Sequence, residues 1–162
     1  MIDFVPAEIE DSKLILSFIH KLAKFENFPY EISVQESDLE KNLFSEDALA
    51  RAIIIYYNES PVGFIVYYFS FSTTTGKKGL HLDDLYVEPE YQGLGLGKKA
   101  LKYLAGVAID NECARFEWWS LKTNEKAINF YKKLGAKELQ EITVFRLTQE
   151  DCQNMILLSR LL

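Results

Sequence analysis

The chain has 162 residues, of which 48% are hydrophobic and 26% charged, and it carries a formal net charge of −6 at pH 7. That length and apolar content suit one domain, residues 1–162, around one continuous core. The acidic balance argues against a nucleic-acid partner, whose phosphates demand a positive surface, and favours a cationic ligand. No apolar run of about eighteen residues is present, and the first residues lack the basic-then-apolar pattern of a secretory signal, so no membrane role and a cytoplasmic address are expected. Cys113, Cys152, His20 and His81 are scattered without metal-ligand spacing, so no metal is expected either.

In chain order, residues 2–5 read as a short strand. Leu14, Ile15, Phe18, Ile19 and Leu22 then recur at helical spacing behind the capping candidates Asp11 and Ser12. Pro29 breaks the pattern, and residues 35–44 can form a second helix. Residues 51–57 and 62–71 read as strands of a hairpin, and a polar turn at 73–79 leads to a third antiparallel strand at 80–87, ended by Pro89. A helix at 95–111, a strand at 115–121 and a helix at 125–134 closed by Gly135 in the C′ position follow. Two more strands are expected at 137–140 and 143–147. Thr148 with Asp151 is a plausible cap for a last helix bearing Met155, Ile156, Leu158, Leu161 and Leu162. The sum is a mixed α/β layer with antiparallel hairpins first and helices on both faces.

The most informative stretch runs Leu85-Tyr86-Val87-Glu88-Pro89-Glu90-Tyr91-Gln92-Gly93-Leu94-Gly95-Leu96-Gly97-Lys98-Lys99. Glycines at alternate positions leave peptide N–H groups uncovered, and at a helix start those amides lack intrahelical acceptors and sit at the positive end of the dipole. Such a turn suits a pyrophosphate. It is not a P-loop, because Gln92 stands where the first glycine belongs and Lys99 replaces the hydroxyl; nor is it a dinucleotide fingerprint, because Lys98 replaces the third glycine and the turn follows hairpins.

Gln92-x-x-Gly95-x-Gly97 after a strand ending Leu85-Tyr86-Val87 resembles the acyl-CoA signature of the GNAT superfamily of N-acetyltransferases. The segment from Asn124 to Ala136, with Phe130-Tyr131 and Gly135, resembles that superfamily's later motif. The resemblance implies a central, mostly antiparallel twisted sheet of about seven strands. It also implies acetyl-CoA as co-substrate, contacted by Leu85, Tyr86, Val87, Gln92, Gly93, Leu94, Gly95, Leu96, Gly97, Lys98, Asn124 and Tyr131. On a helix Ala127, Phe130, Tyr131 and Leu134 share one side, and the resemblance places the Tyr131 hydroxyl near the CoA sulfur as the acid for the leaving thiolate.

Further matches lie in Leu22-Ala23-Lys24-Phe25-Glu26, in Gly63-Phe64 with Tyr67-Tyr68-Phe69, and in Leu82-Asp83-Asp84. They are similar to the spermidine/spermine acetyltransferase group, which includes diamine- and thialysine-acetylating relatives. That likeness implies a small cationic amine as acceptor. It makes Asp83, where glutamate is usual, the base, acting directly or through a water, and it makes Phe25, Glu26, Asp83, Asp84 and Trp118 acceptor-side residues. Strand alternation places Asp83 and Asp84 on opposite faces and sends one of Trp118 and Trp119 to the acceptor and the other to the core. The expected reaction is direct transfer in a ternary complex. The alternatives are a protein lysine or N-terminus as acceptor, or a non-catalytic acyl-CoA-binding regulatory module. A homodimer is expected from the resemblance and from the apolar last helix.

Overall fold

The computed structural model describes residues 1–158. The chain divides into two compact units, Met1–Glu125 and Lys126–Leu162.

The first unit is built on a five-stranded sheet of order β1-β2-β3-β4-β5, with β1 Ile2–Pro6, β2 Arg51–Tyr57, β3 Ser60–Ser72, β4 Lys77–Val87 and β5 Arg115–Trp118. The first four strands pair antiparallel in sequence order; β5 runs parallel to β4. Asn58 and Glu59, both at positive φ, make the tight turn between β2 and β3, the handedness that a two-residue hairpin needs to match strand twist. Gly63 faces the Tyr86 carbonyl so closely that an added Cβ would lie 2.1 Å from the oxygen, so only glycine lets β3 and β4 approach there.

Two helices cover one face. In α1, Ser12–Glu26, the apolar residues Ile15 and Phe18 are buried, and in α2, Glu36–Phe44, Leu39 is buried; they join Ala52, Ile54, Phe64, Val66 and Tyr86 in one cluster. Phe18 stacks on Phe64 at 5.8 Å and tilts against Tyr86 at the same distance. Residues of alternate parity, such as Ile53, Ile55 and Ile65, point to the other face and are also buried, because α3, Leu96–Asp110, covers it with Leu96, Ala100, Leu101 and Leu104. Tyr103 of α3 stacks on Phe4 of β1 at 5.0 Å.

The second unit holds most of α4, Glu125–Lys133, and α5, Gln149–Leu158. The close of α4 follows the expected C-terminal chemistry: Gly135 takes φ +91°, its N–H donates to the Lys132 carbonyl, and the Ala136 N–H reaches back to the Tyr131 carbonyl at 3.1 Å. The expected cap of α5 is formed, with the Thr148 N–H and hydroxyl donating to Asp151 and the Asp151 N–H donating to the Thr148 hydroxyl. Leu161, Leu162 and the Leu158 side chain lie outside the described residues.

Two expectations need correction. The sheet has five strands among the described residues instead of about seven, because residues 137–147 form no ladder; Leu139, Ile142, Val144, Phe145 and Leu147 are all exposed. Alternating apolar residues give a strand only where a neighbouring edge accepts their backbone hydrogen bonds. The strand expected at 115–121 likewise stops at Trp118, where its register against β4 ends at Leu82.

Candidate active site

The parallel ladder between β4 and β5 covers only Gly79 to Leu82 on β4, whereas β4 itself continues to Val87. Its last residues stay paired to β3 on one side, through Asp84↔Val66, Leu85↔Ile65, Tyr86↔Phe64 and Val87↔Gly63. Their other edge has no ladder partner among the described residues, because β5 ends at Trp118 opposite Leu82, and the sheet opens there. A split of this kind offers backbone donors and acceptors to an extended ligand as a strand edge does.

The glycine turn stands at the end of this edge. Gly93 and Gly95 both adopt φ +82°, and a Cβ on either would meet no atom within 4 Å, so the requirement for glycine is conformational and the space beside the amides is open. Gly95 is the N-cap of α3, no side chain caps the helix, and the first intrahelical bond runs from the Lys99 N–H to the Gly95 carbonyl. The amides of Leu96, Gly97 and Lys98 therefore precede the helix's own acceptors. The Gln92 side-chain amide donates to the Val87 carbonyl at 3.2 Å and ties the turn to the strand. Just before the turn, Glu88 accepts from the Tyr86 hydroxyl at 2.8 Å and pairs with Lys21 of α1. Burial first, and then the bond to Glu88, push the Tyr86 hydroxyl pKa upward, so Tyr86 stays neutral and structural. The donor set suits a diphosphate: backbone N–H groups at a positive dipole end with Lys98 exposed on the first turn.

The register places a β-bulge at Asp83, since Val66 pairs with Asp84 while Tyr67 pairs with Leu82. This overturns the expectation that Asp83 and Asp84 face opposite sides. An extra residue in one strand cancels the alternation, so Asp83 and Asp84 both turn to the α1 side. The electrostatics agree: burial first, and then the charges of Asp83 and Glu26, together raise Asp84 to about 7. Glu26, the last residue of α1, is itself raised by burial, an effect opposed by a hydrogen bond from the Asn124 side-chain amide at 3.0 Å. Glu26, Asp83, Asp84 and Asn124 thus meet at the mouth of the split, whereas Phe25 is 46% exposed on the neighbouring turn of α1.

The rings around Asp83 were not assigned from sequence, apart from the tryptophan pair. His81 is buried and stacks on Tyr68 at 4.8 Å; Trp119 meets His81 edge-on at 5.0 Å and is 61% exposed. Burial lowers the His81 pKa, while Asp83 and Glu117 pull it up; burial and then Asp83 raise that of Tyr68. Trp118 is paired with Leu82, tilts against Phe116 at 5.0 Å, and lies on the α3 side. The two tryptophans do alternate, and it is Trp119, not Trp118, that adjoins His81. The missed signal was parity, since His81 stands two residues before Asp83 on the same strand. Tyr131 belongs to the second unit, half-buried against Phe130 at 5.5 Å. Among the described residues no cluster of three or more His, Cys, Asp or Glu suits a metal ion, and no helix is long and apolar enough to cross a membrane.

Residues 17–136 match the model of the acetyltransferase (GNAT) family. Thialysine N-epsilon-acetyltransferase of Sus scrofa is 36% identical over 135 residues, which cover 78% of this chain and 79% of that protein. Spermidine/spermine N(1)-acetyltransferase-like protein 1 of Homo sapiens is 33% identical over 159 residues, 92% of this chain and 23% of that one. Among solved structures, a possible acetyltransferase from Clostridium difficile 630 superposes with a TM-score of 0.79 at 20% identity, over 91% of this chain and 98% of that one. That likeness speaks for the fold.

Proposed function

The chain belongs to the acetyltransferase (GNAT) family and is an acetyl-transferring enzyme; from that premise we propose that it moves the acetyl group of acetyl-CoA directly onto a primary amine of a small cationic acceptor such as a polyamine, a diamine or a thialysine-like compound. The observation that carries this reading is the junction of two features at one strand end: an uncapped helix start with open αL glycines, and a carboxylate group formed by Glu26, Asp83 and Asp84 beside the open β4 edge. The names of the related thialysine and spermidine/spermine enzymes support an amine acceptor.

In this reading the amides of residues 93–98 hold the diphosphate, Leu85, Tyr86 and Val87 offer their backbone edge to the pantetheine arm, and Asn124 fixes Glu26 while anchoring the donor. When bound, acetyl-CoA supplies the activated thioester carbonyl. An alkylamine has an ordinary pKa of about 10 and arrives as a cation, so Asp83, directly or through a water, must take one proton before the nitrogen lone pair can form the new C–N bond. Glu26 and Asp84 draw the cation in. Backbone N–H groups on the open β4 edge stabilise the negative charge that develops on the carbonyl oxygen. As the C–S bond breaks, the Tyr131 hydroxyl gives its proton to the departing sulfur, and the second proton shed by the nitrogen after the C–N bond forms restores that hydroxyl. The chain, 1–162, then acts as a single N-acetyltransferase domain, in the cytoplasm. The exposed apolar side chains of Leu139, Ile142, Val144 and Phe145 support a homodimer; light scattering should give about twice the 18.7 kDa of one chain, and a monomer mass refutes it.

The test of the acceptor class is thiol release from acetyl-CoA with spermidine, putrescine, thialysine and a lysine peptide at equal concentration. Turnover is expected with the small amines. Turnover on the peptide alone, or on none of the four, refutes the reading.

A further inference from the structure

At the end of the sheet away from the glycine turn, a cavity of about 230 Å³ lies among the end of β1, the last turn of α2, the start of β2 and the middle of α3. Leu43, Phe44 and Ile53 supply apolar wall, and the polar side chains that line it are Arg51, Tyr67 and Tyr103. Glu26, Asp83, Asp84 and residues 92–98 take no part in it, and no carboxylate lines it. Tyr67 is 5% exposed, and its hydroxyl has no hydrogen-bond partner among the described residues. No fully buried side-chain polar atom among those residues lacks a partner, so that hydroxyl opens into the cavity. Burial, and then Tyr67, raise the Tyr103 pKa, so the second phenol keeps its proton beside the first. Arg51 is exposed at the rim, 5.3 Å from the Phe69 ring, and Lys78 stands over the same ring at 5.3 Å. Neither cation has a carboxylate partner among the described residues, a local reversal in a chain of net charge −6.

We propose that this cavity is a binding site, separate from the transfer site, for a small monocarboxylate with an apolar body. A cation is repelled by Arg51 and Lys78. A neutral apolar ligand would strip water from two phenols and a guanidinium and offer them no acceptor in return. A carboxylate answers all three: the planar guanidinium presents paired N–H donors that match its two oxygens, and the rotatable hydroxyls turn to donate to it. The apolar wall favours a ring or a short alkyl chain over an inorganic anion, which would leave that wall uncovered. A cavity of about 150 Å³ takes benzene, so this one has room for a single ring together with its carboxylate.

Benzoate and benzamide share size and shape and differ in charge. Calorimetric titration of each into the full chain, into Arg51→Gln and into Tyr103→Phe tests the site; Arg51 is exposed, so its replacement leaves the core intact. The wild type should bind benzoate at least about tenfold more tightly than benzamide. Arg51→Gln should weaken benzoate about tenfold and leave benzamide unchanged, and Tyr103→Phe, which keeps the ring, should weaken benzoate about threefold. Saturation with CoA should leave the affinity for benzoate unchanged, because the glycine turn proposed for its diphosphate stands at the other end of the sheet. No benzoate binding, equal affinity for the two probes, or a benzoate affinity indifferent to both substitutions overturns the proposal. Displacement of benzoate by CoA puts the anion at the glycine turn and overturns it too.

Discussion

Asp84 offers the sharpest test of how this site is built. Its native pKa of about 7 lies well above the ordinary 3.8, because burial and the nearby charges of Asp83 and Glu26 disfavour the carboxylate. Below the unfolded value both states carry the proton and nothing is lost. As pH rises, the unfolded chain releases its proton first, so stability falls through the window from about 4 to about 7 and stays lower above it. A rise of about three units corresponds to about 4 kcal/mol of strain in the ionised native state. Asp84→Asn replaces the carboxyl by a neutral group of the same shape and removes that strain. Urea unfolding at constant ionic strength should show the variant more stable than the wild type at pH 8, with the gap growing by about 2–3 kcal/mol between pH 5 and pH 8. For a chain of this length each kcal/mol corresponds to a Tm change of about 2–4 °C. Acetyl transfer by the variant should be weaker, since the charge that draws the amine is gone. A stability difference that does not change with pH, or a wild type that is the more stable at pH 8, refutes the account of Asp84.

Two further substitutions separate the proposed roles. Tyr131→Phe should lower kcat by about a hundredfold or more while leaving acetyl-CoA affinity within about twofold, as stopped turnover and calorimetry would read it; a kcat within a factor of about two removes the acid role. Gly95→Val forces a β-branched residue to φ +82° at the head of α3, and calorimetry should find acetyl-CoA binding lost; undiminished affinity removes the diphosphate assignment.

Much of the molecule follows from local chemistry that a sequence displays. The apolar spacing of Ile15, Phe18 and Leu22, the turn at Asn58, Pro89 after β4, the alternating glycines before α3, the Gly135 stop and the Thr148–Asp151 cap each act within a few residues, and the structure places each element where that chemistry puts it. The glycine turn and the Phe130-Tyr131 helix are legible for the same reason. What local chemistry does not carry is which backbone edge finds a partner. Residues 137–147 have the composition of strands and form none among the described residues, and β5 stops where β4 leaves it.

The same limit governs the site. One extra residue at Asp83 becomes visible only in the pairing of β4 with β3, yet it decides that two adjacent aspartates share a face, and with it that Asp84 approaches Glu26. The partnership of Glu26 with Asn124, 98 positions apart, and the row from Tyr68 through His81 to Trp119 are likewise products of tertiary register. Sequence by itself determined the kinds of groups present and the turns that present them, because conformational preference is a property of neighbouring residues. Tertiary structure alone decided which of those groups share one small volume, because proximity across strands depends on register, and a single bulge is enough to change it.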